Sequence, residues 1–145
     1  MKVLISGPPE AIRGSKVDVV RLRDRGEALL RALGEDESEL SIALVDDPEI
    51  KALNTQWRSR SRATDVLSFS QGAASGPYAD LLGDVVISVE TAAQQAADRH
   101  RSLDDTVARL LIHGLLHLLG HDHEVDADAA RMSTEERRLW QALKA

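Results

Sequence analysis

The segment "HGLLHLLGHDH", residues 113 to 123, holds four of the chain's five histidines within eleven residues. Leucine and glycine fill most of the space between them, so these imidazoles stand in an apolar setting, not a polar tract. A lone histidine on an apolar helix is usually a hydrogen-bonded core or rim residue. The spacing argues for more. Residues four apart on a helix share one face, about 6 Å from each other, so His113 and His117 can grip one ion without distorting the backbone. Gly120 permits the left-handed residue that ends a helix and turns the chain back. A third histidine just past that turn, at 121 or 123, completes a three-nitrogen set.

Three neutral imidazoles without a thiolate suit zinc, one ion per chain. Three protein ligands leave a fourth position open for water, the arrangement of a catalytic site and not of a structural one. Water held there ionises near neutral pH. The spacing H-x-x-x-H-x-x-G-x-x-H is similar to that of the metzincin proteases, H-E-x-x-H-x-x-G-x-x-H. That likeness favours His123 as the third ligand and leaves His121 to line the site. Gly114 stands where those proteases carry a glutamate general base. Its absence speaks against peptide hydrolysis and for a substrate whose negative charge the ion neutralises, such as a phosphodiester.

A second candidate is "LNTQWRSRSRATDVLSFS", with Arg58, Arg60 and Arg62 at alternate positions. They form either a solvated loop whose cations favour a helix C-terminus or a clamp that pairs bidentately with phosphate oxygens. The solvated reading weighs more for Arg60 and Arg62. Trp57 either stacks on a base or packs against the domain.

Elements must hold these side chains in place. Val3 to Ile5 reads as an opening strand before the Gly7-Pro8-Pro9 turn. Ser15 with Asp18 caps a long helix ending near Gly34. "LSIALV" alternates as a strand. Asp47 can cap, and Pro48 open, a helix running to about Trp57. "TDVLSFS" and "LLGDVVISVE" supply two more strands, separated by the loop-like "QGAASGPYAD". An alanine-rich helix then runs to about His100. Ser102 with Asp105 caps the histidine helix, which Gly120 closes. Val125, Ala129, Met132, Leu139, Trp140 and Leu143 mark the apolar stripe of a last helix. The expected fold is α+β (α/β layers): one domain over residues 1 to 145, a small mixed sheet of about four strands and about five helices, with zinc at the C-terminal end of a buried helix.

Composition bounds the function. With 43% hydrophobic and 29% charged residues the chain is ordinary globular protein and not disordered. A net charge of -6 creates no global attraction to nucleic acid, so a polyanion site must be a local patch. The absence of cysteine excludes disulfides and thiol nucleophiles and fits a reducing cytosol. The apolar runs fall short of a membrane span, so the expected location is the cytoplasm, with no membrane partner. Nothing specifies the oligomeric state.

Three blocks in order resemble the YbeY family of bacterial endoribonucleases, the rRNA maturation factors. "LNTQWRSRSRATDVLSFS" is similar to the family's L-N-x-x-[YW]-R-x-K-D-x-P-T-D-V-L-S-F-P, "LGDVVIS" to L-G-D-I-x-I-S, and "HGLLHLLGHDH" to H-G-x-L-H-L-x-G-[YH]-D-H. Ser61, Ala63 and Ser70 depart from the family's Asp, Pro and Pro. The resemblance implies zinc on His113, His117 and His123 and a functionally important arginine at Arg58 facing the metal groove. It also implies single-strand-specific RNA cleavage, used in 3′-end maturation of small-subunit ribosomal RNA and in ribosome quality control. The implied partners are single-stranded ribosomal RNA and the small ribosomal subunit with its proteins. His121 and Asp65 are candidates for the acid or base, and Arg58, Arg60 and Arg62 are candidate RNA contacts. Two rivals stand beside this reading: a zinc-dependent peptidase or amidase, and a non-catalytic ribosome-assembly factor with a structural zinc.

Overall fold

Alternating apolar side chains along the central strands give the sheet two buried faces. The computed structural model describes residues 2–8, 17–58, 64–70, 81–121 and 126–144, and among these it contains four strands and five helices. Strands β1 (Lys2–Ser6), β2 (Glu39–Val45), β3 (Val66–Ser70) and β4 (Leu81–Ser88) lie in the order β1-β2-β4-β3. Both β1 and β4 run parallel to β2, whereas β3 pairs antiparallel to β4. The sheet is therefore mixed, as expected of an α+β domain.

Successive residues of a strand point to opposite faces. On β2, Leu40, Ile42 and Leu44 enter the main core, while Ala43 and Val45 belong to a smaller one. β4 divides in the same way, with Val85 and Ile87 on one side and Val86 on the other. The helices α1 (Val19–Ala32), α3 (Val89–Asp98), α4 (Leu103–Leu118) and α5 (Asp126–Lys144) complete the main core through residues such as Leu29, Val89, Leu111 and Met132. α2 (Asp47–Arg58) places Ile50 and Leu53 on the opposite face.

Local capping rules settle some helix ends, and packing settles others. The Ser102 hydroxyl accepts the Asp105 N–H at 3.1 Å, the expected cap of α4. At α1 the cap is Asp18 itself, which accepts the Arg21 N–H at 3.0 Å; Ser15 lies outside the described residues. At α2 the capping side chain is Asp46, not Asp47, since Asp46 accepts the Glu49 N–H at 2.9 Å. Asp47 instead accepts the hydroxyls of Ser88 and Thr91 and so ties α2 to the start of α3. Either aspartate satisfies the local rule, and the packing of α3 decides between them. α3 ends at Asp98, two residues short of expectation, because His100 takes a left-handed φ of 53° while the Arg101 N–H closes on the Ala96 carbonyl. The fifth histidine thus terminates a helix. The expected loop at residues 71–80 and the residue Val125 lie outside the described residues. No helix among the described residues is long and apolar enough to cross a membrane.

Candidate metal centre

The histidine helix is buried along one side by what Gly114 lacks. A Cβ at Gly114 would sit 2.7 Å from Val85 Cγ1 and 3.3 Å from Val66 Cγ2, so the bare backbone lets α4 lie directly on β3 and β4. The Ser68 hydroxyl donates to the Gly114 carbonyl at 2.8 Å and locks this contact. With Gly114, Leu115 and Leu116 buried, His113 and His117 are left on the partly exposed side of the helix.

There the two imidazoles converge. Their Nε2 atoms lie 3.1 Å apart, with ring centroids at 4.6 Å and planes inclined by 72°. Zinc–nitrogen bonds of about 2.0–2.1 Å at a tetrahedral angle would set two ligand nitrogens about 3.3 Å apart. The pair therefore has the bite of two zinc ligands. A single N–H···N hydrogen bond between neutral rings spans the same distance, so chemistry must separate the two. The His113 side chain is 33% exposed, open enough for a ligand to reach.

Immediately beyond, the chain turns back as Gly120 was expected to make it do. Gly120 has φ +91°, its N–H donates to the His117 carbonyl, and the His121 N–H donates to the Leu116 carbonyl. This pair of bonds is the Schellman closure of a helix. On α5 the Arg138 hydrogen bond holds the Glu135 carboxyl below its ordinary range despite some burial, and the Arg138 charge adds to the effect. His123, like Asp122, lies outside the described residues, and among the described residues no three histidine, aspartate or glutamate side chains form a metal-binding cluster.

Arg58 is the last residue of α2, and Arg60 and Arg62 lie outside the described residues. α2 and α4 occupy opposite faces of the sheet, yet both finish at the same end of it. Trp57, next to Arg58, meets Phe69 edge-on with ring centroids 6.4 Å apart. Phe69 and Ser70 pair with Asp84 and Gly83. A Cβ on Gly83 would lie 2.8 Å from Leu118 Cδ2 at the end of α4. The end of the arginine helix and the end of the histidine helix thus both meet the paired β3 and β4 at one end of the sheet. Trp57 is 63% exposed and, with Phe69, Asp84 and Val86, lines a groove of about 770 Å³.

One neighbour of the histidines was not visible in the sequence. Glu136 of α5 brings Oε2 to 3.7 Å from His113 Nδ1, the ring nitrogen that points away from His117. The two residues stand far apart in the chain, and no spacing rule links them.

Comparison with known proteins extends this picture. The family model described as "Endoribonuclease YbeY" matches residues 15–144. A protein named Endoribonuclease YbeY from Anaeromyxobacter sp. (strain Fw109-5) is 53% identical over 124 residues, which cover 84% of this chain and 63% of that protein. Another of that name, from Anaeromyxobacter dehalogenans (strain 2CP-C), is 48% identical over 139 residues, covering 96% of this chain and 69% of its own length. This chain therefore spans about two thirds of the length of these two relatives. Among solved structures, the solution structure of TM1509 from Thermotoga maritima superposes with a TM-score of 0.66 at 25% identity, over 97% of this chain and 88% of that one.

Proposed function

Because the chain belongs to the YbeY endoribonuclease family, we propose that it cleaves single-stranded RNA at a single zinc ion held by His113, His117 and His123. The observation that carries this reading is the 3.1 Å approach of the His113 and His117 Nε2 atoms on the last turns of α4. The Gly120 turn supports it by sending the chain back toward the same end of the helix. When bound, zinc supplies a Lewis acid for a phosphoryl oxygen and lowers the pKa of water. Arg58 stabilises the charge that develops on the phosphoryl oxygens, and Arg60 and Arg62 add phosphate contacts. His121 is the candidate acid or base. In the cell the substrate is the 3′ end of small-subunit ribosomal RNA, presented by the small subunit and its proteins in the cytoplasm, both in maturation and in ribosome quality control.

Gly114 weighs against the peptidase or amidase rival. The base that chemistry would need has no room, since even a Cβ there meets Val85.

Metal analysis of the purified chain, run beside cleavage of single- and double-stranded RNA, tests the proposal. One zinc per chain is expected, lost in His117→Ala and retained in His121→Ala. Arg58→Ala should keep its zinc and its fold but cleave roughly a hundredfold more slowly, the scale of losing one charge-stabilising donor. Zinc lost in His121→Ala and kept in His123→Ala would reverse the third-ligand assignment. Wild-type rates in zinc-replete Arg58→Ala would remove the clamp. A chain that holds zinc, cleaves no RNA and unfolds on chelation carries a structural ion instead.

A further inference from the structure

Where α4 and α5 meet, two pairs of side chains face each other at matched spacing. His113 lies four residues after Arg109 on α4, and Trp140 lies four residues after Glu136 on α5. Each pair occupies one face of its helix. Arg109 stacks on Trp140, its guanidinium carbon 4.1 Å from the ring centroid, and Glu136 reaches His113. The helices therefore run antiparallel here, and the Arg109–Trp140 stack sets the register that brings Glu136 to the histidine. The Glu136 charge acts on Arg109 as well. Burial and the neighbouring Arg101 lower the Arg109 guanidinium from its ordinary value, while Asp105 and Glu136 push it back up. Glu136 thus acts on a cation and approaches an imidazole.

We propose that Glu136 is a positioning residue for the metal centre: its carboxylate accepts the Nδ1–H of His113, fixing the tautomer and ring orientation that aim Nε2 at the point shared with His117. The inference rests on the reading of His113 as a zinc ligand. Its chemistry is that of the carboxylate–histidine pair, in which the outer ring nitrogen donates to a carboxylate and the inner one becomes a more basic, better oriented donor to metal. At 3.7 Å the contact is longer than a hydrogen bond. The Glu136 side chain is 39% exposed and has the rotamer freedom to close that gap.

The test compares wild type, Glu136→Gln and Glu136→Ala by zinc competition against a chromophoric chelator at fixed pH. Thermal unfolding and ¹⁵N spectra of the metal-free chains accompany it. Glu136→Ala should bind zinc roughly ten- to a hundredfold more weakly. Glu136→Gln, which keeps an acceptor oxygen without its charge, should lose less. The ¹⁵N shifts should show the Nδ1–H tautomer of His113 in wild type and its partial loss in Glu136→Ala, with the midpoint of metal-free unfolding unchanged. Zinc affinity in Glu136→Ala within twofold of wild type overturns this inference alone. Equal losses in both variants that track a lowered unfolding midpoint overturn it too, in favour of a plain structural ion pair. A wild-type chain that takes up no zinc overturns the metal reading and, with it, this one.

Discussion

Gly114 carries two meanings that a single substitution separates. As a helix-interior glycine it costs α4 about 1 kcal/mol relative to alanine, so Gly114→Ala on an isolated helix would stabilise. In the folded chain the new methyl would lie 2.7 Å from Val85 Cγ1, 3.1 Å from Ser68 Oγ and 3.3 Å from Val66 Cγ2. Val85 is fully buried and β-branched, so it has little freedom to yield. Overpacking of this kind costs about 1–3 kcal/mol, which outweighs the gain in helix propensity. Gly114→Ala should therefore lower the thermal midpoint by a few degrees, as read by circular dichroism. A raised midpoint would mean that α4 can lift from the sheet. By the same argument, Gly114→Glu should fail to fold and not acquire peptidase activity.

At the scale of elements, what holds the histidine helix at its start is a clamp between α1 and α4. The Arg25 guanidinium donates to the Asp105 carboxylate at 2.9 Å and to the Asp104 carbonyl at 3.1 Å. Burial pushes the Asp105 carboxyl up, but the Arg25 hydrogen bond, the charges of Arg25 and Arg21, and a bond with Ser102 together hold it below its ordinary value. A carboxyl that ionises more readily in the folded chain contributes stability above its unfolded pKa of about 3.9. That contribution disappears as pH falls through the lower folded value. Asp105→Asn should accordingly be less stable than wild type at neutral pH, with the difference shrinking below roughly pH 4. Denaturant titrations of both proteins along a pH series measure this. A gap that persists unchanged at pH 3 would assign the loss to packing instead of ionisation.

The whole molecule poses an electrostatic problem, since a chain of net charge -6 is proposed to act on a polyanion. No lysine or arginine occurs between residues 63 and 98, and the acidic runs "GEDESE" and "HEVDADAA" add further repulsion. A bound zinc with Arg58, Arg60 and Arg62 would be the concentrated positive field. Free RNA should then bind weakly through few phosphates. The logarithm of affinity should fall with the logarithm of salt at a slope of about -2 to -3, given about -0.7 per contact on single strands. Titration of a labelled single strand across a salt series reads the slope directly. A steep slope with nanomolar affinity would reveal a basic surface elsewhere.

What the sequence determined by itself was whatever a few neighbouring residues decide. His113 and His117 fall on one helical face because 3.6 residues make a turn, and Gly120 ends that helix because it adopts a positive φ without cost. The alternation in "LSIALV" marks a strand for the same kind of reason, since its period is two. The strands and helices among the described residues and the convergence of two imidazoles follow from such short-range rules. Only the tertiary structure decided that Asp46 and not Asp47 caps α2, that Gly114 is a packing necessity against Val85, and that Glu136 comes within 3.7 Å of His113 Nδ1. It also brought the end of the Arg58 helix and the end of the histidine helix to one end of the sheet, against the paired β3 and β4. Each of these depends on the register in which distant elements pack. Register is chosen by the shape and charge of whole faces meeting at once, such as Arg109 against Trp140, and no local period encodes it.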